Sequence, residues 1–386
     1  MQDAAVLTVN SGSSSLKLAW FRIGGAQPVP LCKADMKGIG SDAGTLTITL
    51  FTDQARANGA ESKPEAQSRN ETQGRWPDQP SAFDAALQAV EKAAAGQRWA
   101  TRPDAIAHRI VHGGPDITKH GPIDDRTRKL LEEAMPFAPL HLPIELALID
   151  ATRTRFPGVP HFACLDTVFH NGLPAVAKRF PLPEALCQNG LHRYGFHGLS
   201  YEHTVATLGE SIPARTVIAH LGSGASLAAL QDAKPMDTTM GLGPTGGIPM
   251  SSRSGDLDPT ILLYLMREHD YDADKLETLL DRQSGLKGLS GLSSDVQVIQ
   301  EAADKGDATA AFALTYFVTA VAKAVGSFAA ILGGVDLLVF TGGVGEHSAA
   351  LRERIADKLG FLSLETRVVA SDENKQMAAH VQSLLG

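Results

Sequence analysis

The chain has 386 residues, 43% of them hydrophobic and 20% charged, a balance that excludes a disordered chain and gives enough length for two domains. Lys and Arg number 35 against 43 Asp and Glu, a formal charge of −8, and aromatics are only 6%, so a nucleic-acid surface is not expected. Any anionic ligand must be held by a local basic site against the global charge.

The three cysteines, Cys32, Cys164 and Cys187, form no CxxC pair and no disulfide framework, which points to a reduced, cytoplasmic setting. The opening MQDAAVLTVNSGSSS lacks the basic stretch and apolar core of a signal peptide. Val6–Val9 and Leu16–Phe21 are apolar runs around a small-residue turn and read as strand, turn, strand. Residues 51–81 are polar and aperiodic, the pattern of a surface loop or insertion. Helices are expected at Phe83–Ala95, Asp124–Met135 and Leu142–Phe156, and strands at Asp104–His112 and His161–Leu165. A second block opens with the strand Val217–Leu221, the turn GSGAS and the run Leu227–Leu230. The hairpins VLTVN-SGSSS-LKLA and VIAHL-GSGAS-LAAL look like one duplicated unit, a copy opening each half of the chain. Helices follow at Pro259–Glu268 and Ala273–Asp281. Asp307–Leu332 reads as a long buried helix, of the core or of a dimer face, whose charge-free stretch, Ala308–Ala322, falls short of a membrane span. Val335–Phe340 is a strand ending in TGGVGE, before a helix at Leu351–Leu359.

Three glycine-rich turns, Ser11–Ser15, Gly222–Ser226 and Thr341–Glu346, each follow a strand, where backbone N–H groups can face phosphate oxygens. None has the spacing of a P-loop or a dinucleotide fingerprint. Arg109 (IAHRIVHGG) and Arg253 (PMSSRSGDLDP) sit among small residues, as bidentate anion ligands do, although a structural ion pair is the ordinary role of such an arginine. Asp166, after the strand FACLD, suits either a Mg²⁺ ligand or a helix N-cap. His197 in RYGFHG reads locally as a structural histidine, as do His112, His141, His170 and His220. No zinc spacing and no nucleophile elbow is present.

The strings VLTVNSGSSSLK, HRIVHGG, APLHLP, CLDTVFH, HRYGFHG, HLGSGAS, MDTTMG, RSGDLDP and FTGGVGE, in this order from Asn10 to about Glu373, resemble the acetate kinase family. The resemblance implies an α/β fold of two domains shared with sugar kinases, Hsc70 and actin, each a mixed sheet flanked by helices. The nucleotide then sits in an interdomain cleft that closes on it. The implied lobes are 1–150, with a tail of about 372–386 packing back on the first, and 151–371, which binds nucleotide and dimerises. The implied reaction is reversible transfer of the γ-phosphoryl group of ATP to acetate, giving acetyl phosphate and ADP, with Mg²⁺ or Mn²⁺. The implied protein is a cytoplasmic homodimer with no nucleic-acid or membrane partner.

By the same resemblance, Asp166, His197 and Arg253 are catalytic, and Asn10 and Glu373 belong to the metal site. Arg109 holds the substrate carboxylate, and Val111, Leu140, Phe196 and Pro244 form the pocket for its methyl group. Lys17, His220, Leu221, Gly222, Ser223, Gly224, Asp295, Val296, Gln297, Gly343, Val344, Gly345, Glu346 and His347 face the nucleotide. The chain departs from the family's usual pattern at Ser223, Gln297 and His347, at Tyr201, where a second His is usual, and in GPTGGIPMSS. Two rival readings are a propionate kinase and an ATPase module of the actin or Hsc70 kind that binds protein partners.

Overall fold

A computed structural model describes residues 4–12, 14–51, 66–188 and 190–386. Residues 52–65 of the polar segment and Ser13 of the first turn lie outside the described residues. The chain divides into two units, residues 1–168 with 372–386, and residues 169–371.

The first unit carries an eight-stranded sheet. Its strands are β1 (Ala4–Ser11), β2 (Ser15–Ile23), β3 (Val29–Lys37), β4 (Gly44–Phe51), β5 (Ala66–Gly74), β6 (Ala105–Ile110), β7 (Gly121–Pro122) and β8 (His161–Leu165), in the spatial order β5-β4-β3-β2-β1-β6-β8-β7. β1 pairs antiparallel with β2, from Ala4↔Ile23 to Ser11↔Leu16, and parallel with β6, which in turn pairs parallel with β8. Because β8 is a sheet partner of β6, this unit extends to Val168, past the boundary expected at residue 150.

β1 and β8 are buried along their whole length, as interior strands covered on both faces must be. On one face Trp20, Met36, Leu46 and Ile48 meet Phe83, Ala86, Leu87 and Val90 of the helix Gln79–Ala93. Fully burying a large apolar side chain contributes roughly 1.5–3 kcal/mol. Asp78 starts that helix by accepting the Ser81 N–H, while Ser81 Oγ accepts the Asp78 N–H, a reciprocal cap. On the other face Ala19 and Phe21 pack with Ala378 of the C-terminal helix Glu373–Leu385.

Part of the stretch expected as a loop is a strand. β5 (AQSRNETQG) is exposed almost throughout and pairs antiparallel with β4. An edge strand held by backbone hydrogen bonds buries neither face, so no apolar alternation marks it.

The second unit repeats the core of this plan. Its strands are β9 (Arg215–Leu221), β10 (Ala225–Gln231), β11 (Lys234–Thr238), β12 (Leu337–Thr341) and β13 (Glu365–Val368), in the order β11-β10-β9-β12-β13. β11/β10 and β10/β9 are antiparallel; β9/β12 and β12/β13 are parallel. These are the pairing senses of β3-β2-β1-β6-β8, so the duplication reaches the strand order and is not confined to the two turns.

The helix Ala308–Leu332 starts at Asp307, whose carboxylate accepts the Thr309 and Ala310 N–H groups, and stops at Gly333 with φ 69°. The expected burial holds for one face only. Leu314, Phe317, Val321, Val325 and Phe328 are buried, whereas Phe312, Tyr316 and Ile331 are about half exposed. Its 25 residues are, against expectation, long and apolar enough to cross a membrane by length and composition. The helix packs on β9, β10 and β11, the arrangement of a helix covering a sheet.

Candidate active site

In the first unit β1, β6 and β8 are parallel neighbours, so their carboxyl ends share one edge of the sheet, where open α/β sheets place ligands. Asn10 is the penultimate residue of β1, Arg109 that of β6, and Asp166 follows β8. Arg109 Nε lies 3.2 and 3.1 Å from Asp166 Oδ1 and Oδ2, and its Nη2 donates to Oδ2 at 2.5 Å. Arg109 Nη1 donates to Asn10 Oδ1 at 3.3 Å, and Asn10 Nδ2 donates to Glu373 Oε2 at 2.8 Å. Glu373 opens the C-terminal helix, whose docking on the sheet brings it to Asn10 from 363 positions away. Burial acts to lower the pKa of the Arg109 guanidinium, but Asp166 and Glu373 outweigh it and hold the group protonated. Asp166 is 1% exposed and forms a buried ion pair with Arg109.

In the second unit β9 runs into a tight turn in which the Gly222 N–H donates to Gly224 O at 3.0 Å. His197 precedes the helix Gly198–Leu208 in the left-handed region, φ 58°, a strained backbone that costs about 1–3 kcal/mol and persists where its surroundings enforce it. Its Nδ1 lies 2.8 Å from Ser226 Oγ, which also meets the buried Tyr201 hydroxyl. The His220 ring stacks on it, centroids 4.2 Å apart, with Nδ1 2.8 Å from Ser200 Oγ. A Cβ at Gly224 would lie 3.1 Å from His197 Nε2 and 3.3 Å from Arg253 Nη1. The glycine turn therefore gathers an imidazole nitrogen and a guanidinium over bare backbone. Arg253 Nη1 also donates to Pro244 O at 3.3 Å, and Nε lies 4.0 Å from Asp281 Oδ1. Its loop closes over Gly285, φ 61°, where a Cβ would meet Met250 O at 2.2 Å; only glycine permits that approach.

The acetokinase family model matches residues 5–383. An acetate kinase of Methylocella silvestris is 38% identical over 394 residues, covering 98% of this chain and 92% of that protein. An acetate kinase of Clostridium botulinum is 35% identical over 388 residues, with the same two coverages. The chain belongs to the acetokinase family. Among solved structures, an acetate kinase of Porphyromonas gingivalis superposes with a TM-score of 0.82 at 30% identity, covering 99% of this chain and 100% of that one. A propionate kinase of Francisella tularensis does so with 0.84 at 28% identity, covering 97% and 98%. The fold is thus the actin-like one of these kinases, with its two sheets built on one repeated plan.

The remaining expected residues are spread over both units. Val111 and Leu140 belong to the first unit; Val111 is buried, and Leu140 lines a small cavity with Ser11, Gly12, His141, Ile144 and Glu145. Phe196 and Pro244 belong to the second unit. Lys17 lies opposite Asn10 in the β1/β2 ladder and is exposed. Leu221 ends β9, and the exposed Ser223 accepts the Ser251 N–H at 3.2 Å through its carbonyl. Gly343, Val344, Gly345, Glu346 and His347 form a short helix, Gly342–His347, where only a glycine turn was expected. Glu346 Oε1 accepts the Ser371 N–H at 2.9 Å, and His347 Nδ1 lies 2.9 Å from Gly343 O. Asp295 caps the helix Val296–Asp304 through the Gln297 N–H at 2.8 Å, and Gln297 Nε2 donates to Glu301 at 3.3 Å. A separate cavity of about 300 Å³, lined by Arg153, Phe156 and His161 among others, lies at the amino end of β8, away from the charged cluster.

Two histidines keep the structural role expected for them. His112 Nδ1 accepts the Gly114 N–H at 2.8 Å, and buried His170 is pushed down to about 4 by burial, with Nε2 3.2 Å from Phe196 O. Sequence reasoning passed over Glu145 and Ser226. Ser226 closes GSGAS and was visible there as a turn residue; Glu145 lies within an apolar helix, where nothing local distinguishes it from a solvent-facing acid.

The oxygen donors of Asn10, Asp166 and Glu373 are hard ligands of the type Mg²⁺ takes. Two carboxylates against one guanidinium leave net negative charge for a cation, so the residues present fit the metal. Ser226→Ala removes the oxygen that orients the His197 ring. It is expected to lower kcat by about 10²-fold, the scale of a misplacement near 1 Å, with far-UV circular dichroism unchanged. A variant within twofold of the parent would deny Ser226 that role.

Proposed function

We propose that the chain transfers the γ-phosphoryl group of ATP to acetate, reversibly, by direct in-line displacement. The observation that carries this reading is the pair of charge clusters, Arg109 with Asp166 and Asn10 in one unit, His197 with Arg253 over the glycine turn in the other. Phosphoryl transfer to a carboxylate brings two anions together, and its loose transition state spreads charge over three equatorial oxygens. The enzyme's work is then positioning and charge stabilisation. Arg109 is the ligand of the acyl carboxylate, and Arg253 and His197 Nε2 face the equatorial oxygens. A carboxylate is already ionised at neutral pH, so no general base is needed. Asn10, Asp166 and Glu373 would hold Mg²⁺, which when bound supplies further neutralisation of the phosphoryl charge. The glycine-rich turn after β9 and the short helix Gly342–His347 after β12 hold the nucleotide.

The same reading makes the enzyme a cytoplasmic homodimer. The exposed Ile261, Leu263, Tyr264 and Met266 of the helix Pro259–Glu268, with Phe312 and Tyr316, are apolar surface that a second copy would cover.

A propionate kinase is the second reading, favoured by the likeness to the Francisella tularensis structure. One methylene in an apolar pocket discriminates by only about 1–3 kcal/mol. Hydroxylamine trapping of the acyl phosphate tests the chemistry, and kcat/KM for formate, acetate, propionate and butyrate tests the substrate. Acetate is expected to be best, with propionate poorer but real. A maximum at propionate or butyrate would move the assignment to a longer acid, and no acyl hydroxamate from any of the four would end the kinase reading.

A further inference from the structure

Arg109 is surrounded by more acid than it balances. Asp166 holds it through Nε and Nη2, Glu373 Oε2 lies 3.9 Å from Nε, and Glu145 is electrostatically coupled to both Arg109 and Asp166. Asp166 and Glu373 already leave net negative charge for the cation they would hold, so an ionised Glu145 would be a further negative charge facing Arg109, and a substrate carboxylate would add another.

Glu145 is the member able to give way. It points inward from the helix Leu142–Arg155, 4% exposed, and its two oxygens share the single Val111 N–H at 3.2 Å each. These contacts are at the long limit for hydrogen bonds and satisfy a buried carboxylate poorly. The charged groups that act on it are Arg109 on β6 and Asp166 after β8, and His141, at the start of its own helix, lines the same small cavity. Ser11 at the end of β1 and Gly12 after it line that cavity too and carry no charge. His112 is turned to the Gly114 N–H and the Phe137 ring.

We propose that Glu145 is a positioning residue for the acid substrate. Neutral, it leaves the charge of Arg109 for the incoming carboxylate; ionised, it opposes that carboxylate and weakens its binding. The inference rests on Arg109 as the carboxylate ligand. Burial pushes Glu145 up to about 8, against the pull of Arg109 and the Val111 N–H, and Asp166 adds to the rise. Below that pH the carboxyl is neutral and the site accepts acetate. Above it the carboxyl ionises and affinity falls, while acetate itself stays ionised throughout.

The test is KM for acetate against pH at saturating MgATP, in the wild type and in Glu145→Gln. In the wild type KM is expected to rise about tenfold from about pH 7 to about pH 9, as one proton lost near 8 requires, with kcat and KM for ATP changing far less. In Glu145→Gln the rise is expected to vanish, because a neutral isostere cannot ionise. A wild-type KM for acetate that is flat over this range overturns the proposal whether or not the variant folds. So does a Glu145→Gln enzyme that keeps the parental rise, since another group would then be titrating. An enzyme forming acyl phosphate with a flat profile thus refutes the role of Glu145 alone, whereas no acyl phosphate at any pH refutes the kinase reading beneath it.

Discussion

Arg253→Ala and His197→Ala are each expected to lower kcat by about 10²–10³, with smaller changes in KM for acetate and for ATP. Both groups converge on Gly224, His197 Nε2 at 3.1 Å and Arg253 Nη1 at 3.3 Å from where its Cβ would stand. The protein itself positions them, His197 through Ser226 and Arg253 through the Pro244 carbonyl. Donors placed in advance act where charge develops, so their loss appears in kcat more than in ground-state binding. Arg253→Lys keeps the charge but not the planar fork, and is expected to recover only part of the rate. Steady-state kinetics decide the matter: if both alanine variants turn over at nearly the parental kcat, neither group acts in the transition state.

Arg109→Ala should cost stability and activity together. Both Asp166 oxygens face Arg109, and Asp166 is 1% exposed. Breaking a buried ion pair from one side costs about 3–5 kcal/mol, because the remaining charge stays buried. On the proposed role of Arg109 as ligand of the acyl carboxylate, kcat/KM for acetate is expected to fall about 10³-fold, the upper end for one lost charge-stabilising donor. The double variant Arg109→Ala with Asp166→Ala takes out both charges. It should regain most of the lost stability and none of the activity. Denaturant unfolding and kinetics on the two variants separate these effects. Parental stability in Arg109→Ala would show that the pair does not anchor Asp166, and restored turnover in the double variant would remove both residues from the chemistry.

Much of the fold is legible in the residues. His161–Leu165 and Pro259–Glu268 have the expected boundaries, because each is an apolar run closed by residues that stop it, Asp166 after the strand and Asp258 before the helix. Asp258 accepts the Thr260 N–H at 2.8 Å, and Pro259 occupies the first helical position, a start signal visible in the string DLDP. The hairpins around Ser11–Ser15 and Gly222–Ser226 announced two copies of one unit. β5 was hidden because its side chains bury nothing, and only its pairing with β4 makes it a strand. The exposed face of Ala308–Leu332 was hidden because a helix apolar on all sides carries no mark of which side meets the sheet.

What the sequence alone determined is local and chemical: the strand–turn–strand units, the capped helices, the arginines and histidines set among glycines, and the strings that place the chain in its family. What the tertiary structure decided is which groups face one another. Glu373 reaches Asn10 only because the C-terminal helix docks on the first sheet. Asp166, equally suited by its local setting to cap a helix or bind a cation, became the partner of Arg109 because β6 and β8 are parallel neighbours whose carboxyl ends coincide. Glu145 looks like any helix-surface acid until packing turns it inward, away from water and toward Val111. A carboxyl's charge state depends on its solvation and on charges within a few ångströms, and both are set by residues far apart along the chain.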